Sequence, residues 1–175
     1  MISTSILFQN GWRFGVLRCL LGSCFIAVGS QIYIPFDPVP FTLQTFCVLL
    51  LGLCCGSKIG TLSVLLYLTE GIMGIPVFAG YNSGISILLG PAGGYLVGFI
   101  FAAYITGAMS EKWSRKSLAS VFVIGLVGEI VLLLIGYLRL AHFIGFSDAC
   151  TFGILPFIFG DFFKLTLCAI IASKK

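Results

Sequence analysis

Only 9% of the 175 residues are charged and 59% are hydrophobic, with a mean hydropathy of +1.13. Soluble domains carry about 25% charged residues, so a soluble enzyme or binding module is excluded and a single integral membrane domain over residues 1–175 is predicted. The net charge of +4 would raise nucleic acid as a partner of a soluble protein, but in a membrane chain the positions of the charges matter more than their sum, and no nucleic acid is assigned.

The start, Met1 to Gly11, is mixed and lacks a signal-peptide cleavage pattern, so the first helix is expected to stay attached. A first span is predicted from about Phe14 to Tyr33, with Arg18 one turn in, where its side chain can snorkel to the interface. Cys19, Ser23 and Ala27 recur every four residues along it and form a stripe of small side chains. Such a stripe lets another helix approach closely, and taken alone it favours packing inside the bundle over an outside partner.

Ile34-Pro-Phe-Asp-Pro-Val-Pro40 follows, a rigid connection because proline fixes φ and removes a donor. The second span is placed at about Phe41 to Gly56. Gln44 in its first turn is read as a cap, with a pocket-facing orientation as the alternative. Gly56-Ser57-Lys58 is a tight turn into a third span at about Ile59 to Met73, with Glu70 at the interface. The string Gly52 to Lys58 does not keep the spacing of a phosphate loop, and no nucleotide site is assigned.

From Gly71 to Gly94, nine glycines and prolines interrupt short apolar runs. Irregular backbone at membrane depth survives only where protein or a water-filled cavity satisfies it, so this segment points to a binding site. Asn82 is either a polar ligand contact there or a turn residue beside glycine. A fourth span is placed at about Tyr95 to Met109, and a loop in water from Glu111 to Lys116 follows. The fifth span, about Leu118 to Leu138, carries Glu129 near its middle, readable as a functional group, a buried neutral acid or a pairing partner. Arg139, His142 and Asp148 are expected in the next loop.

The sixth span, Leu155 to Ser173, contains Asp161 and Lys164. Each charge near mid-membrane costs about 2.5 to 3.5 kcal/mol, which demands protein, water or a polar ligand beside it. At i and i+3 the two share one helix face and are read either as walls of one pocket or as a structural salt bridge. Seven cysteines, at 19, 24, 47, 54, 55, 150 and 168, lie mostly within apolar runs and read as small hydrophobes; with His142 the single histidine, no metal site is assigned.

Six spans place both ends on one side. Arg13, Arg18, Lys58, Lys112, Arg115, Lys116, Lys174 and Lys175 fall near that side and Arg139 alone on the other, which predicts cytoplasmic termini. The proline loop, the 71–94 segment and the outer half of the sixth span then converge on one outward-facing pocket.

Four ordered stretches, Ile34-Pro-Phe-Asp-Pro-Val-Pro-Phe-Thr-Leu-Gln44, Gly74-Ile-Pro-Val-Phe-Ala-Gly80, Gly90-Pro-Ala-Gly-Gly-Tyr95 through Phe99, and Pro156-Phe-Ile-Phe-Gly-Asp161-Phe-Phe-Lys164, resemble the BioY family, the biotin-binding S components of energy-coupling-factor (ECF) transporters. The resemblance implies an all-α bundle of six membrane helices in a bacterial plasma membrane. It implies biotin as transported ligand, a scaffold membrane subunit and two ATPases as partners, and no catalysis or cofactor in this chain. It carries over Asp161, Lys164 and Asn82 as ligand contacts, with Phe41, Phe78 and Tyr95 as walls for the apolar ring and Gln44 at the end of the first motif. It also turns the Cys19, Ser23, Ala27 stripe into the docking surface for the scaffold, although alanines are usual there in the family. Ala92 stands where the family commonly has threonine, and Glu129 matches no family motif. Other readings are an S component for another vitamin, a solitary biotin transporter, an intramembrane enzyme using Asp161 and Glu129, and a structural assembly subunit.

Overall fold

The computed structural model describes residues 4–113 and 117–174, with side chains described from Phe14 onward. Helix α1 (Thr4–Gln31) leads into a two-residue antiparallel ladder, β1 (Tyr33–Ile34) with β2 (Phe41–Thr42), that closes the proline loop; the Asp37–Pro38 bond in it is cis. The second span therefore starts at Gln44 instead of Phe41, because Phe41 and Thr42 pair with β1.

Helix α2 (Gln44–Ile72) is two helices folded back on each other at Gly56. The fold-back is visible in symmetric contacts about that residue. A Cβ placed on Gly60 would lie 3.1 Å from Gly52 Cα, and Gln44 Nε2 donates to Tyr67 Oη at 2.6 Å. In one straight helix those pairs would be about 12 and 34 Å apart. Gly56, at φ 83°, supplies the left-handed turn that an L side chain resists. The arms 44–55 and 57–72 thus form a helical hairpin, as the turn at Gly56-Ser57-Lys58 implies.

The short helix α3 (Ile85–Leu89) and a 3₁₀ turn at Ala79–Tyr81 lie within the glycine-broken segment, followed by α4 (Gly93–Lys112), α5 (Leu118–Ile144), α6 (Phe146–Gly153) and α7 (Leu155–Ala172). Among the described residues, five stretches are long and apolar enough to cross a membrane. Since the second of them is a hairpin, the bundle has six crossing segments, all of them helical.

Two expectations are corrected here. Arg139 and His142 are not in a loop: α5 continues through them because Leu140 and Ala141 are buried, and it stops only at Gly145, with φ 87°. Asp148 is likewise helical, in the first turn of α6, which starts directly after that glycine.

The core runs through both arms of α2, α4 and α5, with Val48, Leu49, Val64, Tyr67, Ala102 and Ala103 fully buried. Close approach depends on small residues: Gly98 abuts the Leu132 backbone, and a Cβ on Gly52 would meet Ala103 O at 2.8 Å. The outer faces present Leu21, Val28, Phe101, Leu134, Phe159 and Phe163, all exposed and apolar, which suits a surrounding of lipid chains.

The two ends of the bundle differ. At the Gly56 end, Ser57 N–H and Oγ donate to the Glu111 carboxylate at 2.8 to 3.2 Å, and Ser110 Oγ donates to Leu53 O. The β1–β2 loop and the 72–92 segment cover the other end. Ser30 Oγ donates to Val77 O at 2.6 Å, Gln31 Nε2 donates to Phe78 O at 3.0 Å, and Tyr81 N–H donates back to Gln31 Oε1. Arg139 donates to Leu89 O and holds α3 in place.

Candidate ligand-binding site

Beneath those loops lies a cavity of about 270 Å³. Its roof comes from Pro38, Val39, Pro40, Ala79 and Asn82, its sides from α2, α3, α4 and α5, and its far wall from Phe157 and Asp161 of α7. A second recess of about 340 Å³, facing the proline loop, shares Pro40, Ala79 and Asn82 with it, so these three residues separate the inner cavity from the outer one.

Asp161 is the single charged side chain among the described residues that line the cavity, and it is 3% exposed. Lys164 Nζ donates to Asp161 Oδ1 at 2.8 Å and sits 3.8 Å from the centre of the Phe41 ring. The ammonium is thereby held by an anion on one side and by the face of an aromatic on the other. Asp161 Oδ2 is buried without a hydrogen-bond partner. A buried carboxylate oxygen is costly to leave unpaired, so an acceptor beside a cavity is suited to a ligand donor.

Aromatic rings fix this floor. Phe41 packs on Phe157 at 5.5 Å, and Phe157 stacks on Tyr95 at 6.0 Å with 19° between the planes. Tyr95 Oη donates to Gly153 O at 2.8 Å, tying the α6–α7 junction to α4. A side chain at Gly160 would collide with Phe41, so glycine before Asp161 lets the ring lie against α7. Phe78, 2% exposed, lines the cavity and meets Tyr67 edge-on at 5.5 Å.

Of the residues singled out from the sequence, the fold brings Asp161, Asn82, Tyr95, Phe78 and Gln44 to the cavity wall; Lys164 and Phe41 stand behind Asp161. Gln44 does not cap its helix with its side chain. It points inward and donates to Tyr67 Oη, which donates on to Val77 O at 3.2 Å. Asn82 Nδ2 donates to Ala79 O at 2.8 Å within the turn, and the residue lines the cavity. The 2.8 Å pair sets both charges together at one end of the cavity. Arg139 and His142 are not among the lining residues.

The small-residue stripe runs along the border between the buried and exposed faces of α1. Ser23 is fully buried and its hydroxyl donates to Glu70, while Cys19 and Ala27 are half-buried. Ser23 is thus a contact between α1 and the 57–72 arm. The buried face of α1 is Gly22, Ser23, Ile26, Gly29 and Ser30, a helical period that the four-residue spacing of the stripe only skirts.

Sequence reasoning missed Thr42, Thr45 and Ser86, the remaining hydroxyls of the cavity wall. Thr42 lies within the first of the four family stretches; Thr45 and Ser86 carry no signal, because hydroxyls are common in membrane helices. Among the described residues no group of three or more His, Cys, Asp or Glu side chains could hold a metal ion.

Comparison with known proteins places these features in a family. The BioY family model matches residues 10–175. The chain is 44% identical over 148 residues to the probable biotin transporter BioY of Pyrococcus horikoshii, covering 85% of this chain and 87% of that protein. It is 40% identical over 160 residues to the biotin transporter BioY of Thermotoga maritima, covering 91% and 94% respectively. Its fold matches a crystal structure at 2.1 Å of the S-component for biotin from an ECF-type ABC transporter, with a TM-score of 0.81 and 27% identity, covering 94% of this chain and 92% of that one.

Proposed function

We propose, because this chain belongs to the BioY family, that it captures biotin and carries it across a bacterial plasma membrane as the substrate-specificity subunit of an ECF-type transporter. It is a transport protein and not an enzyme. The observation that carries the site reading is Asp161: one carboxylate with an unpartnered Oδ2, lining an otherwise uncharged and largely apolar cavity under two loops.

Biotin presents two ureido N–H donors and a carbonyl, an apolar thiophane ring, and a valerate chain ending in a carboxylate. Asp161 accepts from the ureido N–H groups at the floor. Tyr95, Phe157 and Phe99 wall the apolar ring, and Gln44 and Thr45 supply further polar contacts. The carboxylate end lies toward Asn82 and Ser86, near the roof, because the one ammonium close to the cavity is already paired with Asp161. Lys164 holds the Asp161 carboxylate in orientation through its contact with Oδ1 and does not seek the ligand's carboxylate.

Lys58 and Lys112 lie at the Gly56 end of the bundle, and Arg139 at the loop-covered end. By the positive-inside rule the Gly56 end is cytoplasmic and the cavity opens outward. The side chain of Arg13, with Arg115, Lys116 and Lys175, lies outside the described residues. The chain carries no nucleotide motif, so the energy for turning the loaded subunit comes from partners, a scaffold protein and two ATPases.

Binding by the purified protein tests the reading. The unaltered chain is expected to bind biotin saturably, and Asp161→Asn to lose about 100-fold or more, since two hydrogen bonds to a charged acceptor are each worth about 1.5–3 kcal/mol. A correctly folded chain that ignores biotin would sink the substrate assignment; an Asp161→Asn variant that binds as well as its parent would sink the site.

A further inference from the structure

Glu129 takes no part in the site described above, yet it is the least explained polar group in the bundle. It sits on α5 one turn before Leu132, a cavity wall residue, and is 3% exposed. Neighbouring Gly128 lets α5 press onto Leu49 of α2 and the Ala102 backbone of α4. Its side chain meets that of Asp161, carboxyl to carboxyl, across the contact between α5 and α7. Neither Glu129 oxygen has a hydrogen-bond donor, and neither does Asp161 Oδ2.

Three buried acceptors facing one another with no donor among them is not a stable arrangement of two carboxylates. Lys164 balances one negative charge, that of Asp161, to which it is bonded. Among the described residues, the other titratable groups seen to interact with the cluster are Cys168 of α7, Cys47 of α2 and Tyr95 of α4, none of which supplies a second positive charge.

We propose that Glu129 is held as the neutral acid and donates its O–H to Asp161 Oδ2, acting as a positioning residue for ligand recognition. One proton then gives Asp161 Oδ2 its donor, and the Glu129–Asp161–Lys164 cluster carries no net charge. A carboxylate offers about four lone-pair sites. Lys164 uses one on Oδ1 and Glu129 one on Oδ2, which leaves one on each oxygen. Two acceptors on adjacent oxygens are the complement of a group with two parallel N–H donors, such as a cyclic urea. Glu129 thus prevents the Asp161 carboxylate from rotating and keeps its two free lone pairs aimed at the ligand.

The binding arm of the test rests on the biotin reading, whereas the spectroscopic arm does not. Infrared spectra of the ligand-free protein are expected to show a protonated carboxyl stretch that vanishes in Glu129→Gln. In binding measurements Glu129→Gln is expected to stay within about threefold of the parent, because its amide still donates, while Glu129→Leu weakens biotin about tenfold or more. The proposal is overturned if the infrared band is absent or survives Glu129→Gln, if Gln and Leu bind equally weakly, or if Leu binds normally. Should the unaltered protein not bind biotin at all, the infrared band alone decides on Glu129, and the failure belongs to the substrate assignment.

Discussion

The two ends of this bundle treat polar groups in opposite ways. At the Gly56 end a carboxylate, Glu111, is met by donors from Ser57 N–H and Oγ, and the helices close on glycine contacts at Gly52, Gly60 and Gly107. At the other end a carboxylate, Asp161, keeps an unpartnered oxygen beside a cavity of about 270 Å³, and Gly74, Gly80 and Gly84 take positive φ in the loops around it. The same residue type therefore does two jobs. At Gly52, Gly60 and Gly107 glycine removes side-chain bulk so that backbones can touch; at Gly74, Gly80 and Gly84 it supplies turns in the loops over the cavity. The contrast separates a rigid anchor from a receptive mouth.

Substitutions at the two ends should therefore come apart in their effects. The largest effect is expected for Gly52→Leu, whose side chain would drive into Thr106 and the Ala103 backbone and against Gly60. Overpacking costs about 1–3 kcal/mol and more when backbone is the obstacle, so the variant should unfold at clearly lower temperature, or fail to accumulate, while any folded fraction keeps parental biotin affinity. Reduced affinity in that folded fraction would mean that the packed end shapes the cavity after all.

Next is Gln44→Leu at the mouth. It removes the donor to Tyr67 Oη and a polar cavity wall group. Biotin affinity should fall by about tenfold, corresponding to about 1.4 kcal/mol, with little change in thermal stability, because Tyr67 retains its bond to Val77 O. A stability loss without an affinity loss would reassign Gln44 to the hairpin alone.

The smallest effect is expected for Glu111→Ala. The arm 57–72 would lose the acceptor at its first turn, about 1 kcal/mol of stability, with biotin binding unaltered in calorimetry. A change in affinity there would show that the two ends are coupled within the ligand-free fold.

Much of the site was legible because its signals are local. Three prolines in six residues, a glycine-broken stretch and two charges at i and i+3 in an apolar helix each violate what a plain membrane span requires. The turn at Gly56 was equally local, and the hairpin follows it. What escaped depends on helix rotation and on partners far apart in sequence. Ser23 faces Glu70, 47 residues away. Gln44 reaches Tyr67 instead of its own helix end. Arg139 stays helical because Leu140 and Ala141 find a buried place, which no local rule announces.

Composition and residue spacing alone dictate a membrane bundle with a polar site in its last helix and irregular loops over it, because hydrocarbon tolerates buried charge and broken helix only where protein or a polar guest compensates them. It takes the packed fold to show that Asp161 faces a cavity, that Lys164 serves Asp161 from behind, and that Glu129 on a different helix meets the same carboxylate. Periodicity says which residues share a face of one helix; which face meets which neighbour is set by the fit of small residues between helices, and that fit exists only once all of them are packed.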